Sequence, residues 1–211
     1  CIAAVPERED ARDAFVSEAF ASFAELPQGA RLGTASLRRQ AQALALRPDL
    51  QIEMLRGNVD TRLRKLAEGE FDAILLAVSG LNRLGFEEVI RERLSLDDFL
   101  PAPGQGALAL QTRADDREAA WAAALNHAKT ALAVDAERGA RAALEGSCRR
   151  ATGAHAVVEG RRLRLTTEML APDGSARWRR AGEIAAPDAD GARELGLRLG
   201  GEVREMSGAA S

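Results

Sequence analysis

Tyrosine is absent from this 211-residue sequence, aromatic residues make up only 4% of it, and cysteine and histidine occur twice each. The two cysteines, Cys1 and Cys148, lie at opposite parts of the chain and make neither a disulfide framework nor a metal-ligand spacing. His127 and His155 have no matching cysteine or carboxylate motif, so no zinc site is expected. No apolar run approaches the ~20 residues that a membrane span needs. No signal-peptide pattern is visible, and a reducing cytoplasm is the expected location. The net charge of −3 supplies no global positive field, and arginines interleave with aliphatics rather than stacking aromatics. A nucleic-acid-binding role is therefore disfavoured, and any anion binding must be local.

What is present is an ordinary globular composition, 46% hydrophobic and 29% charged, enough to bury a core in one large or two small domains. The chain begins Cys-Ile-Ala-Ala instead of with methionine. Of processing and incompleteness, the expectation is a missing N-terminal portion.

Ala11, Phe15, Ala19 and Phe23 recur at helical spacing and predict an amphipathic helix over residues 7–25, ended by Pro27 and Gly29. A short strand around Arg31–Gly33 then feeds a helix from Ser36 to about Leu46, stopped before Pro48. Gln51–Leu55 reads as a strand, Val59–Ala67 as a helix, and the apolar Ala73–Val78 as a buried strand. This alternation predicts a parallel α/β sheet. Pro101-Ala102-Pro103-Gly104-Gln105-Gly106 reads as a linker into a strand over Ala107–Thr112. An Ala-rich helix is expected from about Asp115 to Leu144. Beyond Cys148, strands are expected over Ala154–Val158, Leu163–Leu170 and Ala176–Ile184, with turns at Glu159-Gly160 and Pro172-Asp173-Gly174, and a helix over Ala189–Glu205. That pattern describes a small α+β domain with an antiparallel three-stranded sheet.

In parallel sheets, ligands sit beyond the carboxyl ends of the strands. Thr34–Arg39, Arg56–Arg62 and Ser79–Arg83 all fall at such ends and deliver polar and cationic groups to one rim. Arg38 and Arg39 open a helix, where free N–H groups and the dipole already favour anions, and Thr34 and Ser36 add hydroxyls. Gly57 permits close backbone approach, Asn58 can cap a helix, and Arg56 and Arg62 supply charge. Arg83 sits at a third strand end. Cys148 follows the small residues Gly146 and Ser147, and Arg149 and Arg150 would favour its thiolate. The competing readings are solvated arginines on capped helices and an inert core cysteine.

Gly33–Gln40, Leu55–Arg62, Leu76–Leu84, Pro103-Gly104-Gln105-Gly106-Ala107 and Leu144–Cys148, in this order, resemble the porphobilinogen deaminase family. Glu7-Arg8-Glu9-Asp10, Asp13-Ala14-Phe15 and Ala124-Leu125-Asn126-His127 also fit. The resemblance implies a transferase that joins four porphobilinogen units into hydroxymethylbilane with loss of ammonia. It also implies a dipyrromethane cofactor, thioether-linked to Cys148, and a cytoplasmic monomer. By resemblance, cofactor and substrate contacts fall on Thr34, Ser36, Arg38, Arg39, Arg56, Gly57, Asn58, Arg62, Arg83 and Gln105. The fold implied is a periplasmic-binding-protein-like parallel α/β domain over 7–100, with residues 1–6 and 101–125 as parts of a first domain. Residues 126–211 would form the cysteine-bearing third domain.

Nothing here matches the family's Lys-Asp motif, which carries its catalytic aspartate. About 90 residues are expected to be missing relative to a three-domain enzyme, and the chain alone is expected to be inactive. Ser147 and Arg149 also depart from the family's usual Gly-Gly-Cys followed by a neutral residue. The alternative is a non-catalytic anion-binding α/β module that uses the same arginines.

Overall fold

Ala73–Ala77 is apolar at every position because both of its faces are covered, and it forms the centre of the larger sheet. The computed structural model describes residues 1–113, 117–144 and 151–208. In chain order the strands are β1 (Ile2–Ala4), β2 (Asp13–Val16), β3 (Arg31–Gly33), β4 (Gln51–Glu53), β5 (Ala73–Ala77), β6 (Glu92–Arg93), β7 (Leu110–Gln111), β8 (Ala151–Glu159), β9 (Arg162–Leu170) and β10 (Arg177–Ala185). The α-helices are α1 (Leu37–Leu46), α2 (Val59–Ala67), α3 (Val78–Leu84), α4 (Ala128–Leu144) and α5 (Ala189–Gly208).

The larger sheet has the order β4-β3-β5-β2-β6. β4, β3 and β5 are parallel, whereas β2 runs antiparallel to β5 and to β6, so the parallel arrangement expected covers three of five strands. Alternation splits the core across its faces. Phe15, Leu32 and Leu75 pack on one side with Phe23 and Phe99, while Ala14, Val16, Ile74 and Leu76 pack on the other with Leu66, Val78 and Leu81.

The helix expected over residues 7–25 does not form. Asp13–Val16 is strand β2, buried at all four positions, and only Phe23–Glu25 makes a 3₁₀ turn. A four-residue apolar spacing imitates a helix face, but here both faces of the segment are enclosed, which a strand satisfies through its ladder bonds to β5 and β6. Two further expectations shrink. The strand after the linker is only Leu110–Gln111, paired with β1, and α4 begins at Ala128 after a separate 3₁₀ stretch, Arg117–Leu125.

The C-terminal part matches its pattern closely. β8-β9-β10 form an antiparallel meander whose inward face packs under α4 and α5. Ala133, Ala136 and Ala140 of α4 meet Ala192, Leu195 and Leu199 of α5, and Gly139, Gly196 and Gly200 let the two helices lie close.

Candidate functional site

β3, β4 and β5 run parallel, so the loops that leave them gather at one edge. Each loop is shaped by its own residues. After β3, Thr34 Oγ1 accepts the Ser36 N–H at 3.1 Å, and Ser36 Oγ in turn caps α1 through the Arg39 N–H. After β4, Gly57 turns at φ 120°, where a side chain would collide with Thr61. Its carbonyl then accepts from Arg62 Nε at 2.8 Å, and Asn58 Oδ1 caps α2 through the Thr61 N–H at 2.9 Å. After β5, α3 follows at once, with Gly80 facing open space.

Between these loops lies a cavity of about 550 Å³, lined by Arg39, Gly57, Asn58, Asp60, Arg62 and Gly80, with Val59, Leu76, Ala77 and Leu84 as its apolar part. Its size suits a ligand of several hundred daltons. Arg39 donates through Nε and Nη2 to Asp13 Oδ1 at 2.9 and 2.7 Å, and through Nη1 to the Leu75 carbonyl. Burial pushes the Arg39 guanidinium below its ordinary range and Asp13 draws it back, while Arg38 and Arg62 lower it further. Two cations thus face one cavity edge, where a bound anion would relieve their repulsion.

Arg38 is placed differently. It is buried, and its terminal nitrogens donate to Asp13, Gln42 Oε1, the Leu100 carbonyl and Gln105 Oε1. Gln105 Nε2 donates back to Asp13 Oδ1 at 2.9 Å and to the Ala11 carbonyl at 2.6 Å. Arg83 reaches the same linker, donating to the Gly106 carbonyl at 2.9 Å. Of the residues singled out in the sequence, Arg39, Gly57, Asn58 and Arg62 therefore meet in the cavity. Arg38, Arg83 and Gln105 meet at the 100–106 segment, Thr34 and Ser36 shape the α1 start, and Arg56 is exposed. Cys148, with Ser147, Arg149 and Arg150, lies outside the described residues.

The sequence reading missed Asp13 as the anion on which both arginines converge. Burial pushes its carboxyl up, but the two guanidinium groups overcome that and hold it well below the usual carboxylate range. Its signal was an acidic residue inside a four-residue run with no exposed face. Glu137 was missed as well. Wholly buried on α4, it accepts a bidentate pair from Arg8 at 2.5 and 3.1 Å, the Gly104 N–H at 2.6 Å and the Ala156 N–H at 2.8 Å. Burial pushes this carboxyl up, while Arg8 and the two amides pull it back. Among the described residues no cluster of ligating side chains suits a metal ion, and no helix is long and apolar enough to cross a membrane.

The chain is thus an α/β unit with a cavity at its strand ends that Arg39, Arg62 and Asp60 line, joined by a Gly/Pro linker to a small α+β unit. The family model described as "Porphobilinogen deaminase, dipyromethane cofactor binding domain" matches residues 1–120, and "Porphobilinogen deaminase, C-terminal domain" matches residues 131–205. The chain belongs to the porphobilinogen deaminase family. It is 59% identical over 212 residues to the porphobilinogen deaminase of Caulobacter vibrioides (strain NA1000 / CB15N), covering 99% of this chain and 66% of that protein. For Phenylobacterium zucineum (strain HLK1) the identity is 56% over 215 residues, covering 100% and 67%. For Nitrobacter hamburgensis it is 49% over 199 residues, covering 92% and 63%. The chain thus spans about two thirds of the length of these relatives.

Proposed function

We propose that this chain is the greater part of a transferase that joins four porphobilinogen units into hydroxymethylbilane, expelling one ammonia for each carbon–carbon bond formed. The observation that carries the reading is the pair Arg39 and Arg62 on one cavity, in a chain of this family. Porphobilinogen bears acetate and propionate arms, and a growing oligopyrrole multiplies them. Planar guanidinium groups beside a capped helix start are matched to such carboxylates.

The proposed cofactor is a dipyrromethane on Cys148. When bound, it supplies the pyrrole carbon to which the first substrate is joined. The residues at hand fit its carboxylates: Arg39 and Arg62 would hold them at the cavity edge, with Asn58 and Gly57 shaping the α2 start, and Leu76 and Leu84 would supply the apolar part of the site. Thr34, Ser36, Arg38, Arg56, Arg83 and Gln105 complete the proposed set, Arg38, Arg83 and Gln105 by fixing the linker against the α/β unit. The division proposed is 7–100, then 126–211, with 1–6 and 101–125 belonging to a first unit. The pairing of β1 with β7 supports the last assignment. The protein works as a cytoplasmic monomer, with neither nucleic acid nor membrane as partner.

The chain has no Lys-Asp motif of the family's kind, and Asp13 is fully engaged by two arginines, so 211 residues alone are proposed to be inactive. Titration of the chain with porphobilinogen tests the site. Saturable binding that weakens with salt and is lost in Arg39→Leu and Arg62→Leu supports the reading. Equal binding by the two variants and the parent, both folded, would overturn it.

A further inference from the structure

One buried amide stands where the α/β unit meets the C-terminal sheet. Gln42 of α1 has no exposed surface. Its Nε2 donates to Glu168 Oε1 of β9 at 2.7 Å and to the Leu100 carbonyl at 2.8 Å, and its Oε1 accepts from Arg38 Nη1 at 2.9 Å. Both amide hydrogens are therefore committed to two other pieces of chain, β9 and the Leu100 carbonyl, and one acceptor position to Arg38 a turn back on the same helix. Arg38 continues to Asp13 on β2. Glu168, also fully buried, continues through Oε2 to Arg179 of β10 at 2.8 and 2.6 Å. An unbroken line of polar groups thus runs from β2 through α1 into β9 and β10.

The packing around this line leaves little slack. Gly153 lies opposite Glu168 in the ladder, and a Cβ there would stand 2.8 Å from the Leu100 carbonyl oxygen. Gly174, in the β9–β10 turn, has room for no side chain: a Cβ would collide with the Ala45 nitrogen. Ala41 of α1, Ala151 of β8 and Leu170 of β9 share one apolar cluster. Ala151 follows Cys148 by three positions.

We infer that Gln42 is a positioning residue, holding the arginine-bearing helix α1 in fixed register with the strand that follows Cys148. Its consequence for catalysis rests on the function proposed above; the mechanical coupling does not. Only an amide satisfies this place. A carboxylate would set an oxygen against Glu168 and the Leu100 carbonyl, and an aliphatic side chain would leave buried Glu168 Oε1 without its donor, while the Leu100 carbonyl would keep Arg38 Nη1.

The test is a pulsed electron-resonance distance between spin labels at exposed positions of α1 and β8, using Leu46→Cys and Val157→Cys in a Cys1→Ser, Cys148→Ala background. With Gln42 present, one narrow distance is expected. Gln42→Leu broadens it. Gln42→Glu, which keeps the shape but replaces the donor by an acceptor, broadens it as well. Unchanged distributions in the folded variants would overturn the inference. Because the background lacks Cys148, the result is independent of whether that cysteine carries a cofactor.

Discussion

Asp13 is the residue on which most of the site depends, since its one buried carboxylate pairs with both Arg38 and Arg39. Asp13→Asn leaves two buried guanidinium groups without their anion and is expected to cost roughly 3–5 kcal/mol in urea unfolding. Its native carboxyl is held below the ordinary range, so the stability it contributes is present above its unfolded pKa of about 3.9 and disappears as pH falls below that value. The parent protein should therefore lose stability through this acid window, and Asp13→Asn should lack that part of the loss. Parallel pH curves for the two proteins would refute the assignment. His155 acts in a different window. Burial first, then the nearby Arg8 charge, lower its pKa to about 4, against some pull from Asp10. Its native form stays neutral where the unfolded chain takes up a proton, so stability falls as pH drops from about 6.5 toward 4. His155→Gln should flatten the denaturation midpoint over that range, and an unchanged slope would count against the burial argument.

At the level of elements, the two hairpin turns of the C-terminal sheet form a natural control. Gly160 and Gly174 both have positive φ, 58° and 75°, yet only Gly174 abuts another element, the end of α1. Gly160→Ala is expected to cost about 1–2 kcal/mol from backbone strain alone. Gly174→Ala should cost clearly more by the same chemical denaturation, and equal costs would mean that the turn is not seated on α1. The two turns were equally legible in the sequence; the seating was not, because it joins residues far apart in the chain. The same contrast explains other successes and failures. α2 was legible over its whole length because Asn58 caps it and Gly57 precedes it, and β5 because five apolar residues run without interruption. β2 was not, because Ala11, Phe15, Ala19 and Phe23 imitate a helical stripe and its ladder partners come 58 or more residues later. The cationic rim could be read from residues that follow strands. The commitment of Arg38 to Asp13, Gln42 and Gln105 could not, since no local pattern distinguishes a buried arginine from a ligand-binding one.

Over the whole molecule, two buried carboxylates tie the lobes together: Glu168 through Gln42, and Glu137 through Arg8 and the Gly104 N–H. Glu137→Gln keeps the shape but removes the anion from Arg8, and is expected to destabilise the chain by about 3 kcal/mol or more in calorimetry, the scale of a broken buried ion pair. A loss below 1 kcal/mol would show that the linker is not held there. These ties matter because they hold the α/β unit, with its cavity of Arg39 and Arg62, and the linker against the C-terminal elements. The most direct test of the account is the intact mass of the protein purified from its source, with peptide mapping around Cys148. The account predicts a Cys148 peptide heavier by two linked pyrroles; a bare thiol at that position would contradict it.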